Sequence, residues 1–186
     1  MVMGITGTLG AGKGTVVDYL IKNKGFRHYS VREFISEEIR KKGLPVNRDN
    51  MVKVANELRR LHGPSYIVDC LYDQAKKEGS DSIIESIRTT GEIDSLRGKG
   101  AFILLSVDAD PEVRYQRIIQ RNSETDHITY ETFLLNEQRE MNGSDPGRQN
   151  LQACMKEADY HITNSGTVAE LYLQVEDILG KIKEYE

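Results

Sequence analysis

Cysteine is scarce: Cys70 and Cys154 are the only two in 186 residues, and they have no close metal-ligand spacing and no partner histidine pattern. Both read as ordinary thiols, and neither is a nucleophile candidate. No run approaches the roughly 20 apolar residues of a membrane span, and the amino-terminal stretch lacks the charged-then-apolar order of a signal peptide. The expectation is therefore a cytoplasmic protein with no membrane partner. There is no surplus of basic charge either. With 25 Lys and Arg against 29 Asp and Glu, the net charge is −4, which excludes the electrostatic footprint of bulk nucleic-acid binding and leaves only a local basic cleft open. Internal repeats and low-complexity tracts are also absent. At 38% hydrophobic and 29% charged residues, the chain fits one globular domain with a full core.

The most informative segment is Gly7-Thr8-Leu9-Gly10-Ala11-Gly12-Lys13-Gly14-Thr15, between the apolar run Val2 to Ile5 and the periodic stretch Val16, Val17, Leu20, Ile21. A strand, a glycine-rich turn and a helix in that order make a phosphate-binding loop. The glycines let backbone N–H groups converge on phosphate oxygens, the helix offers its positive end, and Lys13 can reach the β and γ phosphates. The residues expected to hold the nucleotide are Gly7, Gly10, Ala11, Gly12, Lys13, Gly14 and Thr15. The hydroxyl comes one residue later than usual, at Thr15 rather than position 14, so magnesium would be held more through water and phosphates.

Short apolar runs recur around His28 to Ser30, Ser82 to Ser86, Ala101 to Val107 and Tyr160 to Thr163, with helical periodicities between them. Val168, Leu171, Val175, Ile178, Leu179 and Ile182 share one helical face, as do Met51, Val54, Leu58 and Leu61. Such alternation predicts a parallel sheet covered on both sides, with Ala101 to Leu105 as a central strand buried on both faces. From 31 to 78 the pattern is helix upon helix, interrupted at Gly43-Leu44-Pro45 and Gly63-Pro64, which predicts a helical insertion over the sheet's binding edge. The core is then 1–30 with 79–186. The polar segment 122–129 has the makeup of a lid.

Glu85 ends the strand Ile83-Ile84, on the crevice side of an open parallel sheet. It can hold magnesium or its water shell, or be a plain strand-end glutamate. Arg88 beside it can grip a phosphate bidentately or form a surface ion pair. Arg114, Arg117 and Arg121 lie at i, i+3 and i+7 on a helix opening at Asp110-Pro111. ATP phosphates would explain Arg117 and Arg121, while Arg114 also fits a solvated face near Glu112. Asp126, His127 and Arg139 could complete the lid. Within the insertion, Arg48 and Arg59 are the candidates for contacting an acceptor.

Together these residues resemble the nucleoside monophosphate kinase superfamily of P-loop proteins over nearly the whole chain. The Lys13-Gly14-Thr15 order is similar to that superfamily's loop. Arg117 and Arg121 resemble the arginine pair opening the adenylate kinase lid, which implies the first against adenine and the second on phosphate. Glu85 to Thr89 resembles its strand-end acid followed by a phosphate-gripping arginine, one residue shorter here and without the proline. Ala158 to Thr167 is similar to the closing segment of dephospho-CoA kinases, which implies Asn164 and Gly166 beside the adenine. With Leu44 to Asn50 and Arg139-Glu140, the nearest likeness is to an archaeal group of adenylate-kinase-related, dephospho-CoA-kinase-like proteins. Tyr29 to Glu33 replaces the Ser-Thr-Gly-Asp of adenylate kinases, and Ser36 stands where their acceptor-binding arginine falls.

The fold expected is an α/β P-loop NTPase three-layer sandwich with a five-stranded parallel sheet ordered 2-3-1-4-5, a helical acceptor-binding insertion and a short lid. The expected activity is transfer of the γ-phosphoryl of Mg-ATP to a nucleoside or deoxynucleoside monophosphate. ATP and Mg2+ are the cofactors and a small nucleotide is the partner. Lys13, Arg88 and Arg121 are the expected catalytic residues, with Thr15 and Glu85 toward the metal. Glu33, Arg48, Arg59, Arg88 and Arg139 are assigned to the acceptor. Two other readings stay open: dephospho-CoA kinase, for which Glu33 would be the base, and an ATP-binding switch or assembly factor without a small-molecule acceptor.

Overall fold

The computed structural model of the chain describes residues 1–121, 128–141 and 150–184, apart from the side chains of Arg48 and Arg139. The strands are β1 (Val2–Gly7), β2 (Arg27–Ser30), β3 (Ser82–Glu85), β4 (Ile103–Asp108) and β5 (Tyr160–Thr163). They form one parallel sheet in the order β2-β3-β1-β4-β5, as expected from sequence. The central β4 starts two residues later than the apolar run suggests and continues through Asp108.

Side-chain alternation divides the core into two layers. Met3, Ile5, Ile83, Leu105 and Val107 face helices α1 (Lys13–Lys24) and α9 (Val168–Glu184). Val2, Tyr29, Ile84 and Leu104 face the other side. That side is covered by α2 (Val31–Lys41), α3 (Arg48–His62), α4 (Tyr66–Glu78), α5 (Thr90–Gly98) and α8 (Leu151–Lys156), whose buried residues include Ile39, Leu58, Val68, Ile93 and Cys154. Of the helices within 31–78, α4 packs directly on β1, β2 and β3, while α2 and α3 pack on each other and stand over the sheet edge. Helices α6 (Pro111–Arg121) and α7 (Tyr130–Met141) flank residues 122–127, which lie outside the described residues. Asp126 and His127 of the expected lid fall there.

Two residues depart from their expected faces. Leu61 and Val168 are more than half exposed, since each sits at a helix end where the stripe has left the core. Among the described residues, no helix is long and apolar enough to cross a membrane.

Candidate nucleotide and phosphoryl-transfer site

The loop between β1 and α1 is fastened from three sides. Thr8 Oγ1 donates to Asp108 Oδ1 at 2.6 Å, tying the loop to the end of β4. Asn164, buried just past β5, donates from Nδ2 to the Ala11 carbonyl at 2.8 Å, and its own backbone N–H reaches Asp108 O at 2.7 Å. Gly7 and Gly12 take φ of 137° and 94°, a region that favours glycine. A Cβ on Gly7 would meet the Val107 carbonyl, and one on Gly12 the Asn164 amide. Asn164 therefore braces the loop's shape, a role its likeness to an adenine-side segment does not imply. Gly166 follows it in a shallow cavity of about 370 Å³ with Thr163, Glu170 and Leu173.

Lys13 begins α1 and folds back over the loop, donating to the carbonyls of Gly7 (2.8 Å) and Thr8 (2.7 Å). Burial lowers its pKa to about 8, the positive charge of Arg88 adds to the effect, and Glu85 and Glu140 oppose it. Thr15 is half-buried and Gly14 exposed on the first turn of α1.

Glu85 closes β3 level with Ile5 and Ser30. His28 Nε2 lies 2.9 Å from its Oε2, and this hydrogen bond holds the carboxyl below the usual range, assisted by Lys13 and Arg88 and opposed by partial burial. The next residue, Ser86, has φ 76°, a left-handed conformation uncommon for a non-glycine residue. It turns the chain so that Arg88 follows at the same crevice. There the Arg88 N–H donates to Glu92 Oε2 at 2.9 Å and its carbonyl accepts from Asn150 N at 2.9 Å, while its Nη1 lies 3.9 Å from Glu140. Lys13, Glu85 and Arg88 are thus brought to one place.

The arginines of α6 part ways. Arg114 is buried: it donates to Ala109 O at 2.8 Å, pairs with Glu137 Oε1 at 2.7 Å and stacks over Phe133 at 5.3 Å. It also approaches Leu9 O at 3.4 Å, so it supports the loop from behind. The solvated-face reading of this residue does not hold, because it points inward between α6 and α7. Arg117 has a buried Nη1 with no hydrogen-bond partner among the described residues, an arrangement that calls for an anion or acceptor group. Arg121 is exposed at the end of α6.

In the insertion, Arg59 reaches toward Glu92, with Nη2 3.9 Å from Oε1. Glu33 instead pairs with Arg40 at 2.8 Å, beside a cleft of about 540 Å³ along the free edge of β2 that also includes His28 and Tyr29. The side chains of Arg48 and Arg139 are outside those described. Four features escaped the sequence reading: the brace of Asn164 on Ala11, the His28–Glu85 pair, the bracing by Arg114, and Glu92. Only Glu92 had a readable signal, the capping-box spacing Thr89-x-x-Glu92.

As for metal, no group of three or more His, Cys, Asp or Glu side chains gathers among the described residues. Thr15 and the ionised Glu85 offer hard oxygen donors that suit magnesium carried mainly by phosphate and water.

A family model described as an AAA domain matches residues 3–143. A UPF0200 protein of Methanococcus maripaludis is 30% identical over 183 residues, covering 97% of this chain and 96% of that protein. The chain belongs to the AAA_18 and UPF0200 families. Among solved structures, TT1252 from Thermus thermophilus aligns with a TM-score of 0.65 at 17% identity, over 97% of each chain. Dephospho-CoA kinase from Campylobacter jejuni aligns at 0.60 and 14%, over 98% of this chain and 97% of that one. This AAA_18 member therefore has the P-loop kinase-like fold.

Proposed function

We propose that the protein is a cytoplasmic phosphotransferase that moves the γ-phosphoryl group of Mg-ATP to a small nucleotide acceptor, a nucleoside or deoxynucleoside monophosphate. The observation that carries this reading is the convergence of Lys13, Glu85 and Arg88, from three different elements, at the carboxyl ends of β1 and β3. A loop that only bound nucleotide would need Lys13 alone. An arginine within Coulomb reach of that lysine is placed to hold a second anion against the first.

In this reading the loop amides and Lys13 hold the donor phosphates, and Arg117, whose buried Nη1 lacks a partner among the described residues, contacts the nucleotide together with Arg121. Asn164 and Gly166 border the base. Arg88 and Arg59 hold the acceptor phosphate, with Arg48, Arg139 and Glu33 around the rest of the acceptor. Magnesium, when bound beside Thr15 and Glu85, neutralises phosphate charge. Catalysis is then positioning and charge neutralisation, and a phosphate nucleophile needs no general base.

The second reading, dephospho-CoA as acceptor, draws on the likeness to a dephospho-CoA kinase fold. Its attacking ribose hydroxyl would need a carboxylate base, and Glu33 is already engaged by Arg40. Incubation with ATP and each acceptor in turn decides between them. Turnover of nucleoside monophosphates supports the proposal, turnover of dephospho-CoA alone replaces it, and Glu33→Gln should abolish activity only in the latter case.

A further inference from the structure

Glu92 is the only fully buried carboxylate among the described residues, at 2% exposure. Keeping such a group ionised requires compensation, because the desolvation penalty amounts to several kcal/mol. Burial does push its carboxyl upward, while the N–H groups of Arg88 and Thr89 and the charges of Arg59 and Arg88 oppose that shift. A helix cap alone does not explain the arrangement, since a cap uses one oxygen. Here Oε2 accepts the N–H groups of Arg88 (2.9 Å) and Thr89 (3.2 Å), and Oε1 is turned to Arg59.

That second contact crosses between elements. Arg59 lies on α3 of the helical insertion and Arg88 on the segment leaving β3. The positive charges of both Arg59 and Arg88 act on Glu92, and a negative charge within reach of two guanidinium groups offsets their mutual repulsion. At 3.9 Å the Arg59 Nη2 is outside hydrogen-bond distance of Oε1. The carboxylate thus attracts the guanidinium without using up its donors.

We infer that Glu92 is a positioning residue for the acceptor: its single buried carboxylate couples Arg59 of the insertion to the backbone of Arg88, holding the two arginines as one anion clamp. This rests on the kinase reading above for the identity of the anion, an acceptor phosphate. The inference makes Arg59 dependent on Glu92. Without the carboxylate, Arg59 loses its orientation and its contribution to anion binding disappears.

The test uses inorganic phosphate as the probe, titrated by calorimetry into the whole protein saturated with a non-hydrolysable ATP analogue, so that the β and γ phosphate positions at the loop are filled and only a second anion site is read. Wild type should bind phosphate, and Arg59→Ala and Glu92→Gln should each weaken it at least fivefold. The double variant should be no weaker than either single one, and Glu92→Asp should recover part of the loss. Affinity for the ATP analogue, measured on the same variants, should stay within twofold throughout. Additive losses, unchanged phosphate affinity in Glu92→Gln, or no second phosphate site in wild type would each overturn the inference. Because analogue binding and acceptor turnover are measured separately, a purely structural cap shows as lowered thermal stability with intact phosphate binding. Failure of the kinase reading shows as phosphate binding without any acceptor turnover.

Discussion

Lys13 makes nucleotide binding depend on pH in a way that can be worked out. In the empty loop its ammonium is held by burial at about 8, against an ordinary 10.5. Phosphate oxygens taking the place of the Gly7 and Thr8 carbonyls would restore the charged form to its ordinary range. A ligand that needs the charged lysine then loses affinity as 1 + 10^(pH − 8), so from pH 7.5 to 9 the ATP Kd should rise about eightfold, or about 1.2 kcal/mol. The terminal phosphate of ATP is mostly ionised above pH 7.5, and what deprotonation remains adds negative charge and would strengthen binding, so a loss of affinity belongs to the protein. Isothermal titration with ATP in EDTA, in two buffers of different ionisation enthalpy, reads both the Kd and the proton taken up, about half an equivalent near pH 8. Lys13→Met should bind weakly with a flat profile. The stability of the empty protein should move in the opposite direction. Between pH 8 and 10.5 the unfolded chain carries the proton and the folded one does not, so the cost of burying Lys13 fades as pH rises. A flat wild-type Kd from pH 7.5 to 9 would refute this account of the lysine.

Three further outcomes are expected. Gly12→Ala should destabilise by about 1–2 kcal/mol from its positive φ and further from the collision with Asn164; in an Asn164→Ala background the collision vanishes, so urea midpoints should show coupling of about 1 kcal/mol, and strict additivity would remove the collision from the account. Arg114→Met strands Glu137 and should cost about 3 kcal/mol, lowering the Tm by roughly 10 °C; adding Glu137→Leu should recover at least half, and a Tm unchanged in the single variant would deny the bracing role. Arg88→Ala should lower acceptor turnover about 100-fold, equivalent to roughly 2.7 kcal/mol, with ATP affinity within about twofold, whereas an ATP-binding switch would tolerate it.

The elements legible in sequence are those whose physics is local. The order of strand, glycines, lysine and helix at Gly7 to Thr15 is a backbone requirement written in consecutive residues, and buried parallel strands show as unbroken apolar runs. Glu85 and Arg88 could be picked out because a strand end in an open parallel sheet faces the crevice. The less legible features join residues far apart in sequence. Nothing near Asn164 signals that its amide braces Ala11, 153 residues away. Arg114, Arg117 and Arg121 share a spacing, yet α7 packs over Arg114 and turns it into a buried support. The same holds for Glu33, which follows β2 in sequence but whose pairing with Arg40, two turns along α2, is not written in its immediate neighbours.

The most direct test of the central claim follows phosphorus from ATP to acceptor. Protein, Mg-ATP and each nucleoside and deoxynucleoside monophosphate in turn are followed by 31P NMR, with Arg88→Ala as the control. The account predicts equal amounts of ADP and one nucleoside diphosphate, largely lost in the variant. ATP consumed only to ADP and inorganic phosphate, at a rate indifferent to every acceptor and to Arg88, would contradict it.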